Sequence, residues 1–257
     1  GRPKPDQRGL TGGYRKAPLL QVGAHIYCDT NLIAEVLERL MPEPTLYPAP
    51  VAGVARMAGA FADQTLFRAA AMLVFQPQEG RPKMPEGLSR KEAIGLLKDR
   101  AKMMEGARVA HVPPDLAPVW FEHYSASLNV QLEHAGPFLC GPAPIIADFS
   151  THQIYWFLME NLAEKEPLAG YPALAEWKAK SDAFRTEPLD ELDPAGAVDL
   201  AAASTPPDPE QAIVQHATLQ AGDAVEVVAA DYGFDGVQGT LVKLVGNEVA
   251  IKRSDER

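Results

Sequence analysis

The sequence predicts an α+β protein, and three observations carry that prediction. A short period-two hairpin pattern opens the chain, helical periodicity dominates from about residue 50 to residue 192, and period two returns after a proline-rich stretch. The chain has 257 residues, of which 46% are hydrophobic and 23% charged, so it has the composition of a folded globular protein rather than a disordered one. No apolar run approaches the roughly 20 residues of a membrane-spanning helix, which predicts a protein with no membrane partner. A net charge of −10 argues against a nucleic-acid partner, because phosphate backbones are met by clustered Lys and Arg.

Residues 1–18 are rich in Gly, Pro and charge, and Gly9, Gly12 and Gly13 read as turn positions. Leu19 to Gly23 reads as a short buried strand, and His25-Ile26-Tyr27 as its hairpin partner. Beyond Asp29-Thr30, the residues Leu32, Ile33, Val36, Leu37 and Leu40 recur at helical spacing, closed by Pro42 and Pro44. Val54, Met57, Ala58 and Phe61 form an apolar stripe that runs on toward Met72 and Leu73, interrupted by Pro77, Gly80, Pro82 and Pro85.

Ser89-Arg90-Lys91-Glu92 has the spacing of a reciprocal capping box, and Ile94, Leu97, Ala101 and Met104 follow on one face. A long helix is expected after Pro118, with Trp120, Tyr124, Leu128 and Leu132 at i+4 intervals and Gly136 as its stop. Ile145 to Leu162 is apolar nearly all round, which suits a helix at the centre of a domain. Thr205-Pro206-Pro207-Asp208-Pro209 reads as a linker, and Ala224–Val228, Val237–Leu244 and Glu248–Lys252 as three strands.

Cys28 and Cys140 are far apart and fit no metal-ligand spacing, which points to a reducing, cytoplasmic setting without a disulfide framework. The histidines fall into no zinc pattern, so no metal is expected.

Three landmarks then stand in order. They are Tyr14 to Leu20 followed by Ile26 to Ile33, Phe138-Leu139-Cys140-Gly141 with Pro144 to Phe149, and Tyr171-Pro172-Ala173-Leu174 with Trp177. In this order and spacing they resemble the glutathione S-transferase family over roughly residues 14–190. The resemblance implies a partial thioredoxin-like glutathione-binding unit at 1–45 and an all-helical domain at 46–204. Residues 205–257 would be a linker and a small β-rich extension, similar to one found on some bacterial and fungal transferase-like proteins.

It also implies glutathione as co-substrate, a hydrophobic electrophile as second substrate, and a homodimer. The glutathione-binding residues it points to are Ala17, Pro18, Asp29, Thr30 and Lys16, with Arg15 as an alternative to Lys16. Proline before a strand is where a cis peptide persists, and a cis bond at Ala17–Pro18 would present the Ala17 backbone to a peptide as to an added strand. The helix start at Asp29-Thr30 favours an anion, which suits the γ-glutamyl carboxylate, although both residues also serve as plain helix caps.

The sequence departs from the family pattern in two places. Ile145 stands where Ser or Thr normally opens the reciprocal cap to Asp148. The first strand, helix and second strand of the thioredoxin-like half would precede Gly1, and with them the thiol-activating residue. The expectation is therefore a fragment, by itself inactive and either prone to aggregate or unable to bind glutathione, with no catalytic residue identified. Tyr14 and Tyr27 are not placed as that residue is. Arg56, Phe61, Phe67, Trp120, His123 and Tyr124 are candidates to line the electrophile pocket. Other functions open at this stage are a non-catalytic binding or scaffold protein and a glutathione-dependent thiol–disulfide reductase.

Overall fold

A computed structural model describes residues 5–75, 89–109, 112–162, 168–184, 190–204 and 213–253. Backbone contacts group the chain into two units. One takes residues 1–36, 88–108 and 189–257; the other takes 37–87 and 109–188.

The first unit begins with α1 (Pro5–Thr11), which replaces part of the turn-rich stretch read from Gly9, Gly12 and Gly13. Gly9 lies inside this helix, while Gly12 (φ +70°) and Gly13 (φ +126°) turn the chain after it. So short a helix needs outside support. Arg253 supplies it by donating to the carbonyls of Leu10 (2.5 Å) and Gly9 (2.9 Å) from the far end of the chain.

β1 (Leu19–Val22) and β2 (His25–Cys28) form the expected antiparallel hairpin, with Leu19 opposite Cys28 and Val22 opposite His25. Gly23 takes φ +59° at the first turn position, the left-handed conformation a two-residue hairpin needs there. α2 (Thr30–Leu40) follows at once. The unit also contains α5 (Arg90–Met103) and α9 (Pro194–Ala203). The α5 capping box forms as read: Ser89 Oγ accepts from Glu92 N–H at 3.3 Å, and Glu92 accepts from Ser89 N–H at 2.9 Å.

The period-two reading of the tail also holds. β3 (Ala224–Val227), β4 (Val237–Val245) and β5 (Glu248–Lys252) make one antiparallel sheet in the order β3-β4-β5. Gly239 has a packing reason, since a Cβ there would stand 2.7 Å from the Lys252 carbonyl across the β4–β5 pair. The linker read at 205–209 and the breaks read at Pro77, Gly80, Pro82 and Pro85 lie outside the described residues.

The second unit is helical: α3 (Ala52–Phe61), a π-helical turn (Ala62–Leu66), α4 (Phe67–Phe75), α6 (Ala117–Ala135), α7 (Ile146–Asn161) and α8 (Pro172–Asp182). As its all-round apolar pattern predicts, α7 is the central helix, with Ile154, Tyr155 and Leu158 at most 1% exposed. Asp148 replaces the lost reciprocal cap. Its Oδ2 accepts from Ile145 N–H (3.0 Å), and its Oδ1 accepts from Leu139 N–H (2.9 Å) and from the Trp177 indole N–H (2.7 Å). α8 is capped from another helix, because Asn129 Oδ1 of α6 accepts from the Ala173 and Leu174 N–H groups.

Three inward faces differ from the stripes read in sequence. On α3 the buried residues are Ala55 and Gly59, while Val54, Met57 and Phe61 point outward. The small residues let the α3 backbone approach α7, where a Cβ on Gly59 would meet Ser150 Oγ at 3.5 Å. On α5 the buried residues are Ala93 and Met103, not Ile94 and Leu97. On α6 the buried face runs through Ala117, Phe121, Ser125, Asn129 and Leu132, one position on from Trp120, Tyr124 and Leu128. It admits polar side chains because Ser125 Oγ and Tyr155 Oη satisfy each other at 3.0 Å.

Candidate functional site

The hairpin register brings the predicted residues together. Since Leu19 pairs with Cys28, the next residues outward are Pro18 on one strand and Asp29 on the other, and then Ala17 and Thr30. All four sit at one end of the hairpin, where α2 begins. The Ala17–Pro18 bond is cis, the isomer that the family resemblance points to. Ala17, Pro18 and Asp29 are exposed.

Asp29 has φ +83°, and among the described residues it is the only non-glycine with positive φ. Such a conformation costs roughly 1–3 kcal/mol and concentrates at functional sites. Part of that cost is offset locally: Asp29 Oδ1 accepts from Asn31 N–H, and its carbonyl accepts from Ile33 N–H, both at 2.9 Å. Capping thus uses one carboxylate oxygen and the carbonyl. The α2 N-terminus directs its N–H groups and positive dipole end at this corner.

Lys16 and Arg15 stand just before the proline, each with an anion beside it. Lys16 Nζ lies 2.5 Å from Asp231 Oδ1, over the Tyr232 ring (4.6 Å to its centroid) and near the Tyr14 ring (5.6 Å). Arg15 pairs with Asp99 at 2.5 Å and reaches Asp235 at 4.0 Å.

Sequence reading missed Asp231 and Tyr232. They come from the β3–β4 connection, 215 positions beyond Lys16 in the case of Asp231. An acidic residue beside an aromatic was the available signal, and it does not say which cation it will meet.

Burial shapes the remaining titratable groups of this corner. It pushes the Cys28 thiol up to about 11, aided by the Asp29 charge and opposed by Lys16. It also raises the Tyr14 hydroxyl above the usual tyrosine range, with Cys28 and Asp29 adding to the effect. Both are therefore protonated at neutral pH. Tyr27 stacks on His25 along β2, with centroids 6.2 Å apart. Cys28 and Cys140 are both free thiols.

In the helical unit, Phe61 meets the Tyr124 edge at 5.1 Å, and His123 meets the same ring at 5.6 Å. These three pocket candidates form one aromatic cluster. Phe67 packs instead on Phe157 (5.4 Å), Arg56 covers Tyr47 (4.0 Å), and Trp120 is partly exposed. Among the described residues no group of three metal-ligating side chains forms, and no helix is long and apolar enough to cross a membrane.

A GST-like protein from Pseudomonas syringae, 34% identical, superposes with a TM-score of 0.78 over 99% of this chain and 80% of its own. The chain belongs to the glutathione S-transferase-like family. Glutathione S-transferases from Rhodospirillum rubrum F11 and Actinobacillus pleuropneumoniae also align. The first is 17% identical with a TM-score of 0.48, covering 77% of this chain and 83% of its own; the second is 14% identical with a TM-score of 0.45, covering 77% and 74%. No family model and no curated protein sequence matches the chain.

Proposed function

We propose that the hairpin end of this glutathione S-transferase-like chain is the glutathione site of a glutathione-dependent transferase acting on hydrophobic electrophiles. The observation that carries the reading is Asp29: a non-glycine residue held at φ +83°, exposed, at the tip of α2 and beside Ala17–Pro18. The γ-glutamyl carboxylate lies against the N–H groups at the start of α2 with the Thr30 hydroxyl, and the free side of the Asp29 carboxylate accepts from the γ-glutamyl ammonium. The Ala17 backbone pairs with the cysteinyl residue as with an added strand. Lys16 stands at the glycyl side. In the transferase reaction the bound thiolate attacks an electrophilic carbon, and the protein contributes positioning and control of the thiol's proton.

The aromatic cluster of Phe61, His123 and Tyr124 is of the kind that receives an apolar second substrate. In this reading the protein works as a cytoplasmic homodimer.

A second reading, a non-catalytic glutathione S-transferase-fold binding or scaffold protein, is favoured by one observation: Lys16 is already occupied by an acid from the extension. Retention of the full-length protein on immobilised glutathione tests the binding reading. The parent is expected to be retained and Asp29→Ala to pass through; equal retention of the two counts against it. Conjugating turnover with a panel of electrophiles then separates the transferase from the binding module.

A further inference from the structure

The connection between β3 and β4 is fastened to the end of α5 within the same unit. The Asp231 carbonyl accepts from Arg108 N–H at 2.6 Å, and Gly233 N–H donates to the Met103 carbonyl at 3.0 Å. The Arg108 guanidinium lies over the Phe234 ring at 5.7 Å. Asp231 and Tyr232 therefore meet Lys16 as positioned groups rather than as a loose end.

The Lys16 ammonium has a carboxylate oxygen at 2.5 Å and two ring faces within cation–π reach, and its side chain is only 15% exposed. Burial pushes the Asp231 carboxyl up, but the Lys16 contact and backbone N–H donors outweigh it, so the group sits below the ordinary aspartate range and is charged at neutral pH.

Resting on the glutathione reading above, we propose that Asp231, carried by the carboxy-terminal sheet, is a specificity-determining residue of the tripeptide site. It holds the Lys16 ammonium and withholds it from the glycyl carboxylate. With the γ-glutamyl end at the tip of α2 and the cysteinyl backbone on Ala17, the peptide's far end comes to the Lys16 side of the corner. There it meets a cation whose charge Asp231 already balances. Asp231 offsets much of the attraction that Lys16 would exert on a second carboxylate, because the two opposite charges lie 2.5 Å apart. The extension is in this way part of the binding site, and it sets what the site tolerates at the glycyl end. A free carboxylate and a neutral ester are expected to bind alike.

Titration calorimetry of the full-length protein with glutathione and with its glycyl monoethyl ester tests this. The parent should bind the two within about twofold, the scale of one screened charge contact. Asp231→Asn should shift the ratio by roughly fivefold toward the free acid, and Asp231→Ser carries the same expectation should the amide variant not fold. Adding Lys16→Met to Asp231→Asn should remove the shift. Asp223→Asn, a neutralisation in the same sheet at a residue that caps Gln220 N–H, should leave the ratio at the parent value.

General damage to the fold weakens both ligands together, so the ratio isolates the charge at Asp231. A parent strongly selective for the free acid, or an Asp231→Asn ratio equal to the parent's, overturns the assignment while leaving glutathione binding intact. A parent that binds neither ligand overturns the glutathione reading itself, and this inference with it.

Discussion

Replacing Asp148 with alanine removes one carboxylate and strands three donors. The side chain is 1% exposed and accepts from Leu139 N–H, Ile145 N–H and the Trp177 indole N–H, so it ties the loop before α7, the α7 start and α8 together. A buried donor left without its acceptor costs about 1–3 kcal/mol, and more where the lost acceptor was charged. Relief from burying a carboxylate opposes this, because burial raises the Asp148 carboxyl above the ordinary range while the three donors pull it back. With each donor taken near the low end the three sum to about 3–4 kcal/mol, and the relief brings the net loss to about 2–3 kcal/mol. For a chain of this size that is a fall of roughly 4–12 °C in melting temperature.

Thermal and urea unfolding followed by circular dichroism measure it. A loss under about 1 kcal/mol would refute the account of Asp148 as the tie at the α7 start. A folded-state pKa above the unfolded value means that the parent gains stability as pH falls through the raised value toward about 3.9, and loses it as pH rises through the raised value. Asp148→Asn should lack that contribution.

Ser89→Ala should destabilise α5 by about 1 kcal/mol, because the capping box loses one half, read as faster amide exchange over residues 90–94. Alkylation of Cys28 by iodoacetamide should be slow at pH 7 and accelerate up to about pH 11, with peptide mapping to separate it from Cys140. Burial raises the Asp182 carboxyl, but Lys178 and His152 outweigh it and leave the group below the ordinary range. Its contribution is therefore present above the unfolded pKa and lost as pH falls through the depressed value, and Asp182→Asn should flatten the acid limb of the stability profile.

What was legible in sequence was what repeats over short distances. Leu19 to Tyr27 and Ala224 to Lys252 alternate with period two and became strands. Ser89 and Glu92 stand at capping distance and cap α5. Ala17-Pro18 and Asp29-Thr30 were read as one corner, and the hairpin register places them at one end of the hairpin. What was hidden depended on partners. The inward face of α3 is set by how closely α7 approaches, so Ala55 and Gly59 displaced the larger Val54 and Met57 from the buried side. α1 is seven residues containing a glycine, and no local signal predicts a helix that Arg253 completes from 243 positions away. The Lys16–Asp231 pair is of the same kind, two charges with no periodic relation.

The hairpin unit is assembled from three separated stretches, and among the described residues Arg253 on the carbonyls of Gly9 and Leu10 is its latest fastening in chain order. On a translating ribosome, residue 36 and residue 253 leave the tunnel roughly 10–40 seconds apart at ordinary elongation rates. The helical unit between them has finished its own packing partners by residue 188. The corner around Asp29 therefore waits while about 200 further residues are made before Asp231 and Arg253 arrive, and nascent chains stalled before the β3–β5 sheet should hold a folded helical unit and an unfinished hairpin.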